Sequence, residues 1–350
     1  MPAPAGDRVV FEPISEAEFA RLDSQSREKE QEGAARARDP LFRVLSAGLW
    51  TSVQGAPRFG WGSYGVPPGG AMDLAALAAG NAALGNSPEA AALEMTVSGP
   101  ELEVSSPAAI SLSGAEFSCR VGDAPVAAGE VREVVSGDRL RFGHARAGAR
   151  GYLCVRGSLA IPAHPAPSRR LERGDLVWGS EKANESAALA HPSPPFAEAT
   201  AGRPQASPGG RGSTPGEEAA EEALRVVLGP QEDRFPAEAI AAFLEGTYRV
   251  SSSSDRRGIR LEGSPIAHRG GAGAAEISPE GTALGAVQVP ADGLPIVLGP
   301  DRPVTGGYAK VATVIGADWA RLAQALPGTP VRFRAVELAE AVAARRGIRL

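Results

Sequence analysis

The side chains able to do chemistry cluster in five loops punctuated by glycine and proline. The first joins Gly48–Gln54 to Gly65–Asp73, and the second runs from Asn86 to Glu94 and on to Gly99-Pro100. The third is Ser251–Leu261, the fourth Gly285–Gly293 and the fifth Asp301–Lys310. Glycine lets backbone approach a ligand closely. Gln, Ser, Arg and Lys beside it donate to carboxylates, carbonyls or phosphates. Arg256, Arg257 and Lys310 are the candidate cations. Gln54, Gln288, Ser254 and Thr305 would orient a bound molecule, with Gly306, Gly307 and Tyr308 alongside. Asp73, Asp255 and Asp301 are candidates for a base or a metal-ion contact, and with Lys310 they make the candidate catalytic set. Taken singly, each loop also reads as an ordinary turn. Asp73 would cap a helix that follows it, and Asp255 would pair with Arg257 at the surface.

Other motifs fall short of a chemistry. Gly80–Ser87 (GNAALGNS) nearly matches a phosphate-binding loop but lacks the lysine, and it follows a helix instead of preceding one. Gly85-Asn86 reads better as a C-terminal helix cap. Gly270–Gly273 (GGAG) resembles a dinucleotide loop without its later glycine, so it reads as a flexible loop. His144, His164, His191 and His268 have no ligand spacing, and the expected metal set is none. No G-x-S-x-G elbow is present for a hydrolase serine. Cys119 and Cys154, the only two cysteines, make neither a disulfide framework nor a zinc site. They read as buried reduced thiols, which fits a cytoplasmic protein.

The elements that must position these loops are mostly strands. Short apolar or alternating runs lie between turn signals: ELEV, AAISLSG, EFSCRVGD, DRLRFG, RGYLCVRG, LRVVLG, YRVS, GAVQVPADG, LPIVLG, VATVIG and VRFRAV. Runs spaced by about 8–12 residues predict a mainly β protein with a few short helices, built as barrels or sandwiches. Helical spacing is expected at Met72–Leu84, Pro236–Leu244 and Asp318–Leu326, the last capped by Asp318. A turn glycine followed by a strand ending in Phe recurs in GDRVVF (6–11), GDRLRF (137–142) and GTPVRF (328–333).

Composition divides the chain. With 350 residues and 43% hydrophobic content, two domains can each bury a core. Gly 43 and Pro 30 predict many turns and some linker. Residues 181–221 hold one aromatic, Phe196, among Pro, Gly, Ala, Ser and Glu, so a disordered linker is expected there. It separates a barrel-like domain at 41–180 from a second at 222–338, with a tail at 339–350. Residues 23–40 are charged and read as another linker. A net charge of −5 and 5% aromatics argue against a nucleic-acid partner. No run of 18 apolar residues is present, so no membrane partner is expected, and Met1–Glu12 does not read as a signal peptide.

Read in order, nine blocks resemble one family: the C subunit of 5-oxoprolinase, KipA and allophanate hydrolase subunit 2, also called biotin-dependent carboxyltransferases. They are GLWTSVQ, GVPPGGAMD, GNSPEAAALEMTVSGPELEV, LSGAEFSCRVGDAPV, GDRLRFGHARAGARGYLCVRG, LGPQEDRF, YRVSSSSDRRGIRLEG, the long run from GAVQVPADG to ARLAQALPG, and VRFRAV. The chain departs from the family's pattern after Gln54, where Gly55-Ala56-Pro57-Arg58 follows. It is also short between Gly157 and Asp175, and the approach to Thr305-Gly306-Gly307-Tyr308 lacks the family's Gln and Thr. The resemblance implies cyclophilin-like β-barrel architecture. It implies hydrolysis of 5-oxo-L-proline to L-glutamate coupled to ATP, with Mg2+, in a complex with a KipI-like B subunit and a LamB/YcsF-like A subunit. Two alternatives remain open: a carboxyltransferase module using biotin carried on another protein, and a non-enzymatic KipA-like regulatory protein. Residues 1–22 (with GDRVVFEPISEAEF) resemble the end of the KipI-like partner, which implies descent from a fusion or a start inside one.

Overall fold

The computed structural model describes residues 15–18, 21, 39–161, 168–180 and 223–347. Apart from residues 15–18, 21, 39 and 40, the expected partner remnant at 1–22 and linker at 23–40 lie outside the described residues. So does the expected linker at 181–221.

The first half holds eleven strands: β1 (Phe42–Ser46), β2 (Trp50–Gln54), β3 (Ala92–Thr96), β4 (Glu101–Val104), β5 (Ala108–Gly114), β6 (Phe117–Val121), β7 (Ala124–Val126), β8 (Arg132–Val134), β9 (Arg139–Ala145), β10 (Arg150–Val155) and β11 (Leu176–Val177). They form a six-stranded sheet, β11-β1-β4-β9-β6-β7, and a five-stranded sheet, β2-β3-β10-β5-β8. Alternation turns Phe42, Val44, Leu102, Val104 and Leu140 of the first sheet toward Leu93, Met95, Ile110 and Leu153 of the second. Strand β10 is buried along its whole length, because its second face lies beneath helix α1 (Leu74–Ala83). There Tyr152 and Cys154 pack with Leu77 and Leu84.

Helix α1 follows from its sequence. Ala-rich LAALAAGNAA favours helix. The Asp73 carboxylate accepts the Ala76 N–H at 3.0 Å as N-cap. Gly85 ends the helix at φ 72°, a left-handed conformation that favours glycine. Cys119 and Cys154 are free and buried, and burial pushes both thiols up to about 12.

The second half holds β12 (Leu224–Leu228), β13 (Tyr248–Val250), β14 (Gly258–Glu262), β15 (Glu276–Gly281), β16 (Ala286–Gln288), β17 (Ile296–Leu298), β18 (Thr305–Tyr308), β19 (Lys310–Val314), β20 (Pro330–Val331) and β21 (Phe333–Ala335). Eight of them form one sheet, ordered β20-β13-β14-β17-β16-β19-β12-β21. Its edge strands β20 and β21 are separated in sequence by Arg332 alone, so the sheet curls into a nearly closed barrel. Val226, Ile259, Val287, Val297, Val311 and Phe333 fill it. Strands β15 and β18 pair with each other in a separate two-stranded sheet.

Three more helices lie at α2 (Ala237–Glu245), α3 (Trp319–Ala323) and α4 (Leu338–Gly347). Asp318 does not cap α3 with its side chain. Arg225 takes that carboxylate instead, through its backbone N–H at 2.7 Å and its guanidinium at 2.7 and 3.1 Å. The expected tail from residue 339 is helical as far as Gly347. The halves interlock: Met72, from the first, is fully buried in the core of the second, and the Trp319 indole donates to the Met72 carbonyl at 2.7 Å.

Candidate functional site

Five of the candidate residues are already committed to one another or to the frame. Arg256 is buried between the halves. Its guanidinium donates to Glu94 of β3, to Asp301 at 2.8 and 3.1 Å, and to the Gly70 carbonyl at 2.6 Å. Burial would lower its pKa, but the charges of Glu94 and Asp301 outweigh that and hold it above the ordinary value. The far oxygen of Glu94 accepts from the Tyr152 hydroxyl at 2.8 Å and the Met72 N–H at 2.7 Å. The Asp73 carboxyl is raised by burial, against hydrogen bonds from Gln324 and the Ala76 N–H. This network joins the two halves. Asp255 turns its carboxylate onto the N–H groups of Arg257 and Gly258 and pairs with the exposed Arg257 guanidinium at 3.1 Å. Those contacts make Arg256, Asp301 and Asp73 parts of the scaffold, and Asp255–Arg257 a surface turn.

Gln54 and Ser254 also have local partners. The Gln54 amide donates to the Ser52 hydroxyl at 3.0 Å, and both are buried. Ser254 Oγ accepts the Arg260 N–H at 3.0 Å and closes the turn.

Lys310 and Gln288 behave differently. Strands β16 and β19 pair regularly at Val287↔Ala312, then slip so that Gln288 faces Lys310. Without that bulge Gln288 would face Val311. A bulge re-aims side chains, and here it sets an ammonium beside an amide. Val287 and Val289 enter the core, so Gln288 points to the other face of the sheet. The two-stranded ribbon of β15 and β18 covers that face. A Cβ on Gly306 would stand 2.5 Å from the Gln288 amide nitrogen, so a side chain there would push the Gln288 amide aside. Gly306 pairs across the ribbon with Glu280. The Glu280 carboxylate lies 2.7 Å from the Lys310 ammonium.

Both donors have capacity to spare. Lys310 is 2% exposed and Gln288 6%. The Gln288 amide nitrogen is buried with no acceptor, and Glu280 is the carboxylate partner of the Lys310 ammonium, whose other N–H groups are left over. Glu280 is half exposed, and Lys310 and Gln231 hold its carboxyl below the usual range. The Gln231 amide donates to Glu280 at 2.8 Å, while its carbonyl accepts the Lys310 N–H at 3.1 Å. Thr305, Gly306, Gly307 and Tyr308 form the covering strand, with Tyr308 exposed. Beside the ribbon's end at Gly281 and Thr305, a cleft is lined by Arg58, Trp61, Pro68, Thr282, Arg302 and Val304. A buried amide donor without an acceptor costs free energy unless something supplies one, so an unpartnered Gln288 amide beside a buried ammonium is suited to holding a carboxylate or carbonyl. Sequence reading missed Glu280 and Gln231. Gln231 sits in the quoted block LGPQEDRF, whereas Glu280 lies in no motif.

The chain matches the family described as "Carboxyltransferase domain, subdomain A and B" over residues 64–335. It belongs to that carboxyltransferase-domain family. It is 30% identical to the 5-oxoprolinase C subunit of Escherichia coli K12 over 309 residues, 87% of this chain and 94% of that one. It is 29% identical to a urea amidolyase of Lachancea kluyveri over 314 residues, though only 17% of that longer protein is covered. Among solved structures, the K. lactis urea amidolyase aligns with TM-score 0.70 at 28% identity, covering 95% of this chain and 21% of the other. TTHA0988 aligns with TM-score 0.65 at 29% identity, covering 85% of this chain and 56% of that one. Among the described residues of this carboxyltransferase-domain chain, no helix is long and apolar enough to cross a membrane.

Proposed function

We propose that this chain is the C subunit of an ATP-dependent 5-oxoprolinase, and that the Lys310–Gln288 site holds the substrate. The observation that carries the reading is a buried ammonium and a buried amide on adjacent barrel strands, the amide without an acceptor and the ammonium held by the half-exposed Glu280. The likeness to the E. coli 5-oxoprolinase C subunit over 94% of its length supports it. 5-Oxo-L-proline offers three acceptor oxygens, two on its carboxylate and one on its lactam. An unstrained lactam is a poor electrophile, and phosphoryl transfer from ATP to its carbonyl oxygen supplies a leaving group. The task of this chain is to bind and orient the lactam and to exclude bulk water. Lys310 and Gln288 supply the donors, and the Thr305–Tyr308 strand covers them.

Among the described residues, Mg2+ and ATP find no fitting cradle. The GNAALGNS loop lies at the C-terminal end of α1, where the Gly85 and Asn86 N–H groups already bond to Ala82 and Asn81 carbonyls. Among the described residues, no three His, Cys, Asp or Glu side chains gather to hold a metal. We therefore assign the nucleotide to a KipI-like B subunit or a LamB/YcsF-like A subunit, in a cytoplasmic complex. The test is 5-oxoproline-dependent ATP hydrolysis by the co-purified subunits, with this chain omitted as control. Turnover that needs the chain supports the reading; equal turnover without it rejects the reading.

The likeness to a urea amidolyase at 29% identity, though over 17% of its length, supports a second reading, carboxyl transfer from biotin on another protein. The same two donors would then take a ureido or carboxyl oxygen. Biotin-dependent carboxyl transfer by a stable complex that has no oxoprolinase turnover would select it. Tight partner binding without either turnover would select the KipA-like regulatory role.

A further inference from the structure

We propose that Glu280 is a built-in stand-in for the carboxylate of the ligand, and that a ligand carboxylate replaces it on Lys310 beneath ribbon β15–β18. The inference rests on Lys310 and Gln288 being the ligand site. Both donor atoms are buried, so Glu280 must leave Lys310 before a ligand carboxylate takes its place. Within the ribbon Glu280 pairs with Gly306, which sits over Gln288, while the Glu280 carboxylate sits on Lys310. The ribbon pairs with no barrel strand, and a lone two-stranded sheet is marginally stable. It is held to the barrel where β18 runs through Ala309 into β19 and where the Val289 N–H donates to the Ala309 carbonyl at 3.0 Å.

Charge balance selects the ligand class. The closed site is a neutral Lys310–Glu280 pair. A neutral ligand that displaced Glu280 would leave a buried ammonium without a counter-ion, which is costly. A carboxylate restores the pair, and its second oxygen meets the Gln288 amide, which lacks an acceptor. For 5-oxoproline, the carboxylate is then the anchored end, and the lactam faces outward toward the activating partner.

Closure by Glu280 lowers the apparent affinity of any competitor. The test is calorimetric binding and thermal melting of the full chain as wild type, Glu280→Gln, Glu280→Ala and Glu280→Ala/Lys310→Met. The probes are acetate, 5-oxoproline and the neutral lactam 2-pyrrolidinone. Removing the stand-in should tighten 5-oxoproline binding by about tenfold or more. Acetate should raise the melting temperature of Glu280→Ala by about 3 °C or more, with little effect on wild type and none on the double variant. 2-Pyrrolidinone should bind none of them. If Glu280→Ala does not fold, Glu280→Gln carries the affinity comparison. Unchanged or weaker 5-oxoproline binding in the Glu280 variants overturns the proposal, as does lactam binding equal to that of 5-oxoproline. Acetate rescue requires no reaction, so a complex without turnover would reject the oxoprolinase reading and leave this inference standing.

Discussion

At the scale of residues, the identity of a charged side chain says less than its partners. Lys310 and Arg256 are both buried cations in glycine-rich surroundings, yet they have different work. Arg256 is saturated by two carboxylates and a carbonyl; the Lys310 ammonium has one carboxylate partner, the half-exposed Glu280. Lys310→Ala should therefore reduce turnover of the reconstituted complex by about 100-fold or more, as expected for loss of a preorganised donor. Circular dichroism should be unchanged, because the half-exposed Glu280 left behind can be solvated. Asp318 gives a pH signature. Its burial would raise its pKa, but the Arg225 hydrogen bonds and charge hold the carboxyl below the usual range. A depressed carboxylate stabilises the fold above its unfolded value, and that contribution is lost as pH falls through the folded value. Asp318→Asn should thus show a flatter loss of stability below about pH 4, measured by denaturant midpoints across pH. Gln288 and Lys310 stand out in the sequence as candidate donors because Gln and Lys lie in glycine loops. Glu280 does not, because nothing in the sequence fixes which strand will lie across Lys310.

Elements were more legible than contacts. Alternating and apolar runs mark most strands, and Asp73 and Gly85 bracket α1 as residue chemistry requires. Two features depend on packing and escaped that reading. One is the slip at Val287/Gln288, since a bulge has no composition of its own and one residue decides which side chains share a face. The other is Asp318, whose place before α3 suits a cap but whose carboxylate finds Arg225 across the barrel. The fit of α1 on its sheet makes a direct test. A Cβ at Gly80 would stand 2.6 Å from Ser113 Oγ and 2.7 Å from Cys154 Sγ. Gly80→Ala gains helix propensity but overpacks this contact, so we expect a net loss of about 1–3 kcal/mol in urea denaturation. A gain in stability would mean that α1 lifts from the sheet at no cost.

On the scale of the whole molecule, the two halves share a polar seam. Arg256 and Asp301 come from one half, Glu94 and Tyr152 from the other, and Gln324 reaches across to Asp73 and to the N–H groups of Ala149 and Arg150. Arg256→Met leaves the fully buried Glu94 without its counter-ion and should cost about 3–5 kcal/mol. Calorimetry of that variant should resolve two transitions where the wild type gives one, and Arg256→Met/Glu94→Gln/Asp301→Asn should recover part of the loss. No composition or periodicity predicts such a seam, because its members lie in loops and strands far apart in the sequence. For inheritance, the seam behaves as a single allele. A half grafted from a relative joins this one only if it brings the matching carboxylates or guanidinium, so productive chimeras exchange Glu94, Arg256 and Asp301 as a set.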